Sequence, residues 1–345
     1  MQRVKHLWHR SVAWLALAVA APATAHHSVS AWFDTTVEMA EVEGVVTELR
    51  WQNPHVVFTL QVGDALWSIE TLSISGISRW GLTHDLIAVG DRLRVAGNPA
   101  RRDANSLFVR NILLPTGREI VLGGNARWSN DTLRGSELLQ AREGDASRPD
   151  LGLYRTWSTG SVNGVLFPEA VTANFDFGRY PLTTAARARL ASFDFASDDP
   201  TRDCTPKGMP TIMEQPYPME IVNRGDTIEL LIEEYDTRRV VRMRPTGVST
   251  AGPLGVSVGR WEGSTLVVVT TRSTWGYFDS VGIPLSIDAV LVERFAPSAD
   301  GSQLDYTLEV TDPATFTKSV ELKKTWIWRP EVARGTYECR PALAR

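Results

Sequence analysis

Downstream of residue 25 the histidines are His26, His27, His55 and His84, and none occurs from Val121 onward. Imidazoles grouped in this way point first to metal chemistry. His26 follows Ala23-Thr24-Ala25, an A-x-A site, and cleavage there leaves an α-amine and an imidazole on one terminal residue. Those two nitrogens chelate a divalent metal, and one further imidazole completes a histidine brace. His55 is the expected second residue because Pro54 stiffens the backbone before it; His27 is the other choice. Nitrogen ligands held near a plane suit Cu(II), and Trp32, Phe33 and Trp51 would surround the site with apolar surface. A plainer account also stands. A His-His terminus is commonly a solvated end, His55 can hydrogen-bond within its turn, and His84 beside Asp85 can be an ordinary exposed residue. The H-x-x-x-H and H-E-x-x-H zinc patterns are absent.

The second half offers carboxylates and rings instead. Asp198 and Asp199 precede Pro200 near Cys204, and Glu220, Glu229, Glu233 and Glu234 fall on expected strands. A buried pair among them would serve acid–base chemistry of the isomerase or hydrolase kind. Strand alternation alone would send most of them to solvent or lumen. Trp157, Tyr217, Trp261, Trp275, Trp326 and Trp328, with Tyr277 and Phe278, are rings for an apolar ligand pocket or for a packed core. Trp326 and Trp328 lie two apart and share a strand face. Cys204 and Cys339 are the two cysteines. In an exported chain they most simply form one disulfide, worth about 4–5 kcal/mol by loop closure; two buried or reactive thiols are the alternative. There is no G-x-S-x-G elbow, Gly-rich phosphate loop or C-x-x-C pair.

Export is read from the first 25 residues. Arg3, Lys5 and Arg10 precede an apolar run from Val12 to Ala21 and then Pro22, the pattern of a secretory signal peptide cleaved after Ala25. The destination is periplasmic or secreted. The run is too short to cross a bilayer, and nothing later exceeds it. Losing three basic residues takes Lys plus Arg from 36 to 33 against 40 acidic residues, a formal charge of −7. That balance argues against a phosphate-backbone partner, and no anionic-membrane patch is seen.

Residues 26–345 are enough for two domains. β-Branched runs at 41–50 and 55–62 flank the turn Trp51-Gln52-Asn53-Pro54, with further strands at 66–70, 92–96 and 107–114 and a short helix at 73–80. Three strands, a helix and two strands is the order of a five-stranded OB-type barrel, assigned to 26–122. Residues 123–149 lack apolar periodicity and read as a linker. A helix is expected over 183–193. Strands then follow at 219–223, 226–235, 238–244, 256–262, 264–272, 288–296, 303–311 and 318–328, separated by Gly- and Asp-containing turns. The fold class is mainly β: a small OB-type barrel, then a larger antiparallel lipocalin-like barrel over 150–345.

Ala25-His26-His27-Ser28, Phe33-Asp34, Gly44-Val45-Val46, Trp51-Gln52-Asn53-Pro54-His55 and Gly90-Asp91 make residues 25–121 resemble the DUF6152 family, exported bacterial domains of unknown function. Asp198-Asp199-Pro200, Cys204-Thr-Pro-Lys-Gly208, Pro216-Tyr-Pro-Met-Glu-Ile221, Gly259-Arg-Trp-Glu-Gly263 and Asp312-Pro313 make the second half similar to uncharacterised exported bacterial proteins. Ser264 stands where those proteins carry Asp, and Thr184 where a Pro often stands. Neither resemblance implies an activity. The leading expectation is a non-enzymatic binding protein for an apolar small molecule, using Trp157, Tyr217, Trp261, Trp275, Trp326 and Trp328. The alternatives are a copper protein through His26 and His55, or an enzyme using carboxylates of the second barrel.

Overall fold

The computed structural model describes residues 33–53, 55–79, 82–101, 103–133, 152–158, 161–162, 165–166, 180–214, 217–244, 250–328, 330 and 333–339. The expected signal peptide 1–25, His26 and His27, and the expected linker from 134 to 149 lie outside them.

The first domain is built from β1 (Ala40–Arg50), β2 (Val57–Val62), β3 (Ala65–Glu70), helix α1 (Ile74–Arg79), β4 (Arg92–Pro99) and β5 (Ser106–Leu113). Strand β1 pairs with both β2 and β4, and a parallel β3–β5 pairing closes the five strands into a barrel. The strand–strand–strand–helix–strand–strand order is the one expected. Val46, Phe58, Leu60, Ile69, Leu93, Val95, Val109 and Ile112 fill the interior, with Ile77 of α1 packed among them. Gly97 sits where the β4–β5 register shifts, and a Cβ there would lie 2.2 Å from the Phe108 carbonyl oxygen. Only glycine lets the two strands approach so closely.

The expected linker starts later than position 123. Strand β6 (Glu119–Val121) adds to β5, and β7 (Thr132–Leu133) pairs with β6. The loop between them closes over the fully buried Glu119. Its carboxylate accepts the backbone N–H groups of Arg127, Trp128 and Ser129 and the amide of Asn111. A hydrophobic pattern cannot reveal such a segment, because a buried carboxylate and not an apolar face holds it.

The second domain is a closed barrel of nine strands. These are β8 (Thr156–Ser158), β11 (Met219–Asn223), β12 (Thr227–Ile232), β13 (Thr237–Arg242), β14 (Val256–Glu262), β15 (Thr265–Thr271), β16 (Val290–Pro297), β17 (Gln303–Thr311) and β18 (Val320–Trp328). A short hairpin, β9 (Ser161–Val162) and β10 (Val165–Leu166), lies outside that ring. Strand β8 closes the ring by pairing with β11 and β18. The antiparallel order is broken once: β13 and β14 run parallel, Val241 opposite Ser257, because the connection between them carries the chain back along the barrel. Gly263-Ser264 forms the two-residue turn of the β14–β15 hairpin, with Gly263 at φ +62°. Ser264 is thus a turn residue.

Helices α2 (Thr184–Ser192) and α3 (Phe195–Asp198), with 3₁₀ turns at Pro200–Asp203 and Thr211–Glu214, lie between β10 and β11. Thr183 caps α2 by accepting the Ala186 N–H.

Glu119 gives the first testable expectation. Burial pushes its carboxyl up, but the backbone donors of residues 127–129 and Asn111 outweigh burial and hold it below the ordinary value. Its contribution is therefore complete above the usual glutamate range and fades as pH falls through the lowered value. In urea unfolding at pH 7, Glu119→Gln should lower stability by about 2 kcal/mol. The gap to wild type should narrow toward pH 3.

Candidate functional site

The second barrel is filled, and charge does part of the filling. On β13, Arg239 is 1 % exposed and meets the fully buried Glu293 of β16. Its guanidinium also donates to Ser257 (3.1 Å) and Thr270 (2.9 Å), while the Tyr306 hydroxyl donates to Glu293 (2.9 Å). Above this network the turn Thr211–Glu214 plugs the barrel mouth, with Met209, Ile212 and Met213 buried. Lys324 of β18 holds the plug from inside, its ammonium donating to the carbonyls of Met213 (3.2 Å) and Glu214 (3.1 Å) above the Trp326 ring. Carbonyls at the end of a helical turn favour a cation there.

Two spaces flank the plug. A cavity of about 10 Å³ lies on its inner side against Glu214, Met213, Tyr306 and Lys324. A cleft of about 40 Å³ lies on its outer side, lined by Phe193, Lys207, Thr211, Trp275, Tyr277, Asp279 and Ser280 among others. Phe193 and Tyr277 meet edge to face at 5.6 Å, as do Trp275 and Tyr277 at 5.8 Å, so the rings form one wall. Trp275 is fixed by donating to the Thr211 hydroxyl at 2.8 Å.

The ionisable groups around the plug are not balanced. Half-buried Lys207 pairs with Glu234 at 2.9 Å; burial opposes its charge, but Glu234 outweighs burial and holds the ammonium above its usual range. Glu214 and Asp279 have no such partner. Burial pushes Glu214 up to about 7 against the pull of Lys207, Ser280 and Lys324. Burial, then the charge of Glu214, raises Asp279 well above the carboxylate range. Lys324 is lowered to about 7, chiefly by burial.

Asp279 accepts the N–H groups of Val281 (3.1 Å) and Ile283 (3.0 Å) through Oδ1, while its Oδ2 is buried without a hydrogen-bond partner. Glu214 Oε1 and Glu234 Oε2 are also buried without a hydrogen-bond partner of good geometry, and Ser280 lies close enough to Glu214 to draw its carboxyl down. Orphaned polar atoms gathered in one place are uncommon in a folded protein. Two neighbouring buried carboxyls raised above the ordinary carboxylate range can give or take a proton.

The sequence-derived candidates scatter over the molecule. Trp157 and Trp326 are fully buried core residues. Trp328 stacks with Trp157 about Arg155, whose guanidinium lies 4.7 and 5.6 Å from the two rings. Trp261 is 43 % exposed and faces Tyr154, and Tyr217 packs on Tyr337. Only Trp275 of these six lines the cleft. Among the carboxylates, Asp199 lines the cleft and caps the turn Pro200–Asp203, and Glu234 pairs with Lys207. Asp198 accepts from the Asp194 N–H and Glu229 pairs with Arg238. Glu233 accepts from Gly335, and Glu220 is half-buried on β11.

In the first domain, His55 Nδ1 meets the Glu70 carboxylate, and its ring sits edge-on to Phe108, which also touches Phe33. His84 packs edge-on against Trp51. Among the described residues no group of three or more His, Cys, Asp or Glu could hold a metal ion; His26 lies outside them. Cys204 and Cys339 are joined, their Cα atoms 5.8 Å apart. Glu214, Asp279, Lys207 and Lys324 were not foreseen. Glu214 and Asp279 stand in segments without periodicity, whereas Lys324 shares the strand face of Val320, Leu322 and Trp326, so alternation was the signal that could have placed it inside.

Residues 14–108 match a family of unknown function, DUF6152, which spans β1 to β4 and the start of β5. No curated protein matches the chain. A solved structure described as the ZRD-deleted mutant of TiaS in complex with agmatine is similar at 16% identity, covering 26% of this chain and 24% of that one. The TM-score is 0.19, and nothing about fold or function follows from it. Among the described residues no helix is long and apolar enough to cross a membrane.

The raised carboxyl sets a pH expectation. With a folded value near 7 against an ordinary 4.5, Glu214 contributes fully below pH 4.5 and its contribution is lost as pH rises through 7. Lys324, lowered from 10.5 to about 7, contributes fully above pH 10.5 and loses its contribution as pH falls through 7. Removing the acid by Glu214→Gln should shift stability, relative to wild type, in the variant's favour by on the order of 3 kcal/mol between pH 4.5 and pH 8. Denaturant unfolding across that range measures it.

Proposed function

We propose that the protein is an exported acid–base enzyme whose site is the cleft at the plugged mouth of the second barrel. The observation that carries this reading is the Glu214–Asp279 pair: two neighbouring, buried carboxyls with unpartnered oxygens, one of them lining an open cleft. Asp279 is the group in contact with substrate. Glu214 lies behind it, and the pair shares a proton, so that Asp279 can take a proton from one substrate atom and return it to another, or protonate a leaving group. Lys207 and Glu234 set the local charge, while Phe193, Trp275 and Tyr277 supply an apolar wall.

About 40 Å³ admits the reacting end of a substrate and not the whole of an apolar ligand. The filled lumen therefore favours the enzyme over a lipocalin-type carrier. Isomerisation or hydrolysis of a small molecule bearing one polar end is the matching reaction class. The test is untargeted mass spectrometry of a small-molecule extract incubated with wild type or with Asp279→Asn. Compounds consumed by wild type and spared by the variant at least about 100-fold support the reading. Identical profiles for the two proteins overturn it.

One observation favours a second reading, for the first domain. The Glu70 carboxylate engages Nδ1 of His55, which turns the ring and leaves Nε2 for a metal in the manner of a carboxylate–histidine–metal arrangement. With His26 as a processed amino terminus this would complete a Cu(II) site. EPR and calorimetry on protein beginning at His26 should show one Cu(II) bound more weakly at low pH, and one residue added before His26 should abolish it. Equal affinity with and without that residue refutes the brace.

A further inference from the structure

The residues 333–339 form an extended strap with one buried side chain, Tyr337, which is 1 % exposed. Its backbone groups are shared between the two barrels. The Gly335 N–H donates to Glu233 (2.9 Å) and the Tyr337 N–H donates to Asp236 (3.1 Å), both of the second barrel. The Tyr337 carbonyl accepts the side-chain amide of Asn53 from the first barrel, and Cys339 bridges to the Asn53 backbone. Asn53 is 2 % exposed and is itself oriented by accepting the Ile74 N–H at 3.1 Å, at the start of α1. The Tyr337 ring packs between Tyr217 and Tyr235, with centroids at 5.4 and 4.8 Å, and Tyr217 also hydrogen-bonds Ser73 of the first barrel. Beyond Tyr337 the strap ends in the cystine to Cys204, which caps the turn Pro200–Asp203. Pro200, Thr201 and Lys207 line the cleft.

We infer that the Asn53 corner of the first barrel is a docking surface for this cystine-anchored strap, and that through it the first domain positions the outer wall of the cleft in the second. Side chains of both domains clamp one backbone: the strap lends its N–H donors to carboxylates of the second domain and its Tyr337 carbonyl to the Asn53 amide of the first. Asn53 suits the task because one amide carries a donor and an acceptor. Its oxygen secures α1 and its nitrogen grips the strap. The path from Asn53 to the cleft is short and continuous, through Tyr337, Cys339 and Cys204 to the turn at Pro200. Asn53 is a positioning residue in this scheme, acting without contact to the cleft. The inference stands on these contacts alone and is independent of the proton chemistry proposed above.

Asn53→Asp separates the two roles, since it keeps the acceptor for Ile74 and removes the donor to Tyr337. Amide hydrogen exchange of the full oxidised chain reads the result. Exchange at Gly335 and Tyr337 should quicken about tenfold, the value of one hydrogen bond of ordinary strength. Exchange over 201–207 should quicken with it, while α1 stays protected. In the Cys204→Ser, Cys339→Ser double variant, adding Asn53→Asp should still loosen the strap but no longer affect 201–207. Unchanged exchange in the strap overturns the docking role, as does opening of α1 together with the strap. A loosened strap beside an unchanged 201–207 overturns the positioning role. Because the readout is exchange and not turnover, failure here leaves the acid–base reading to its own test.

Discussion

Charge enclosed in the second barrel is the constraint on which the rest of the structure depends. A ring of nine strands encloses space that apolar side chains fill only in part, and here Arg239, Glu293 and Tyr306 complete the filling. An unpaired charge in that interior would cost several kcal/mol, so each must meet a partner from another strand. Ser257 and Thr270 supply further acceptors for the guanidinium, whose Nε is buried without a partner. The network consequently links five consecutive strands, β13 to β17.

Several buried oxygens without a hydrogen-bond partner gather at the mouth. The plug carries Glu214 into the barrel, Lys324 spends its donors on the plug carbonyls, and Asp279 arrives from the β15–β16 connection with one oxygen satisfied and the other not. The orphaned carboxyl oxygens at this end of the barrel lie beside its cleft. That is the usual location of function, since proton transfer requires carboxyls held away from their solution values.

The two barrels form one unit at the level of hydrogen bonds. Asn53 and Ser73 of the first touch Tyr337 and Tyr217 of the second, and the cystine ties the same segment to the cleft side of the plug. The backbone at Tyr235 and Asp236 is left-handed, at φ 56° and 48°, which costs on the order of 1–3 kcal/mol per residue. That cost is offset where Asp236 receives the strap and Tyr235 packs on Tyr337.

Much of the architecture was legible in the chain. β-Branched runs and Gly-containing turns marked both barrels, because alternation with period two survives in any half-buried strand. The Gly263-Ser264 hairpin was readable for the same local reason, and two cysteines allow only one intramolecular pairing. Three things needed the tertiary structure. The parallel β13–β14 junction depends on the path of a connection, which no local pattern encodes. The loop over Glu119 was read as linker because its anchor is a carboxylate, and hydrophobic periodicity does not register buried charge. The pairing of Glu214 with Asp279 joins positions 65 residues apart in segments of no regular period, so only closure of the barrel brings them together. The six aromatic residues show the converse. Their types were evident from the chain, but whether a ring faces core, cleft, solvent or the other domain is decided by packing, which sequence spacing does not specify.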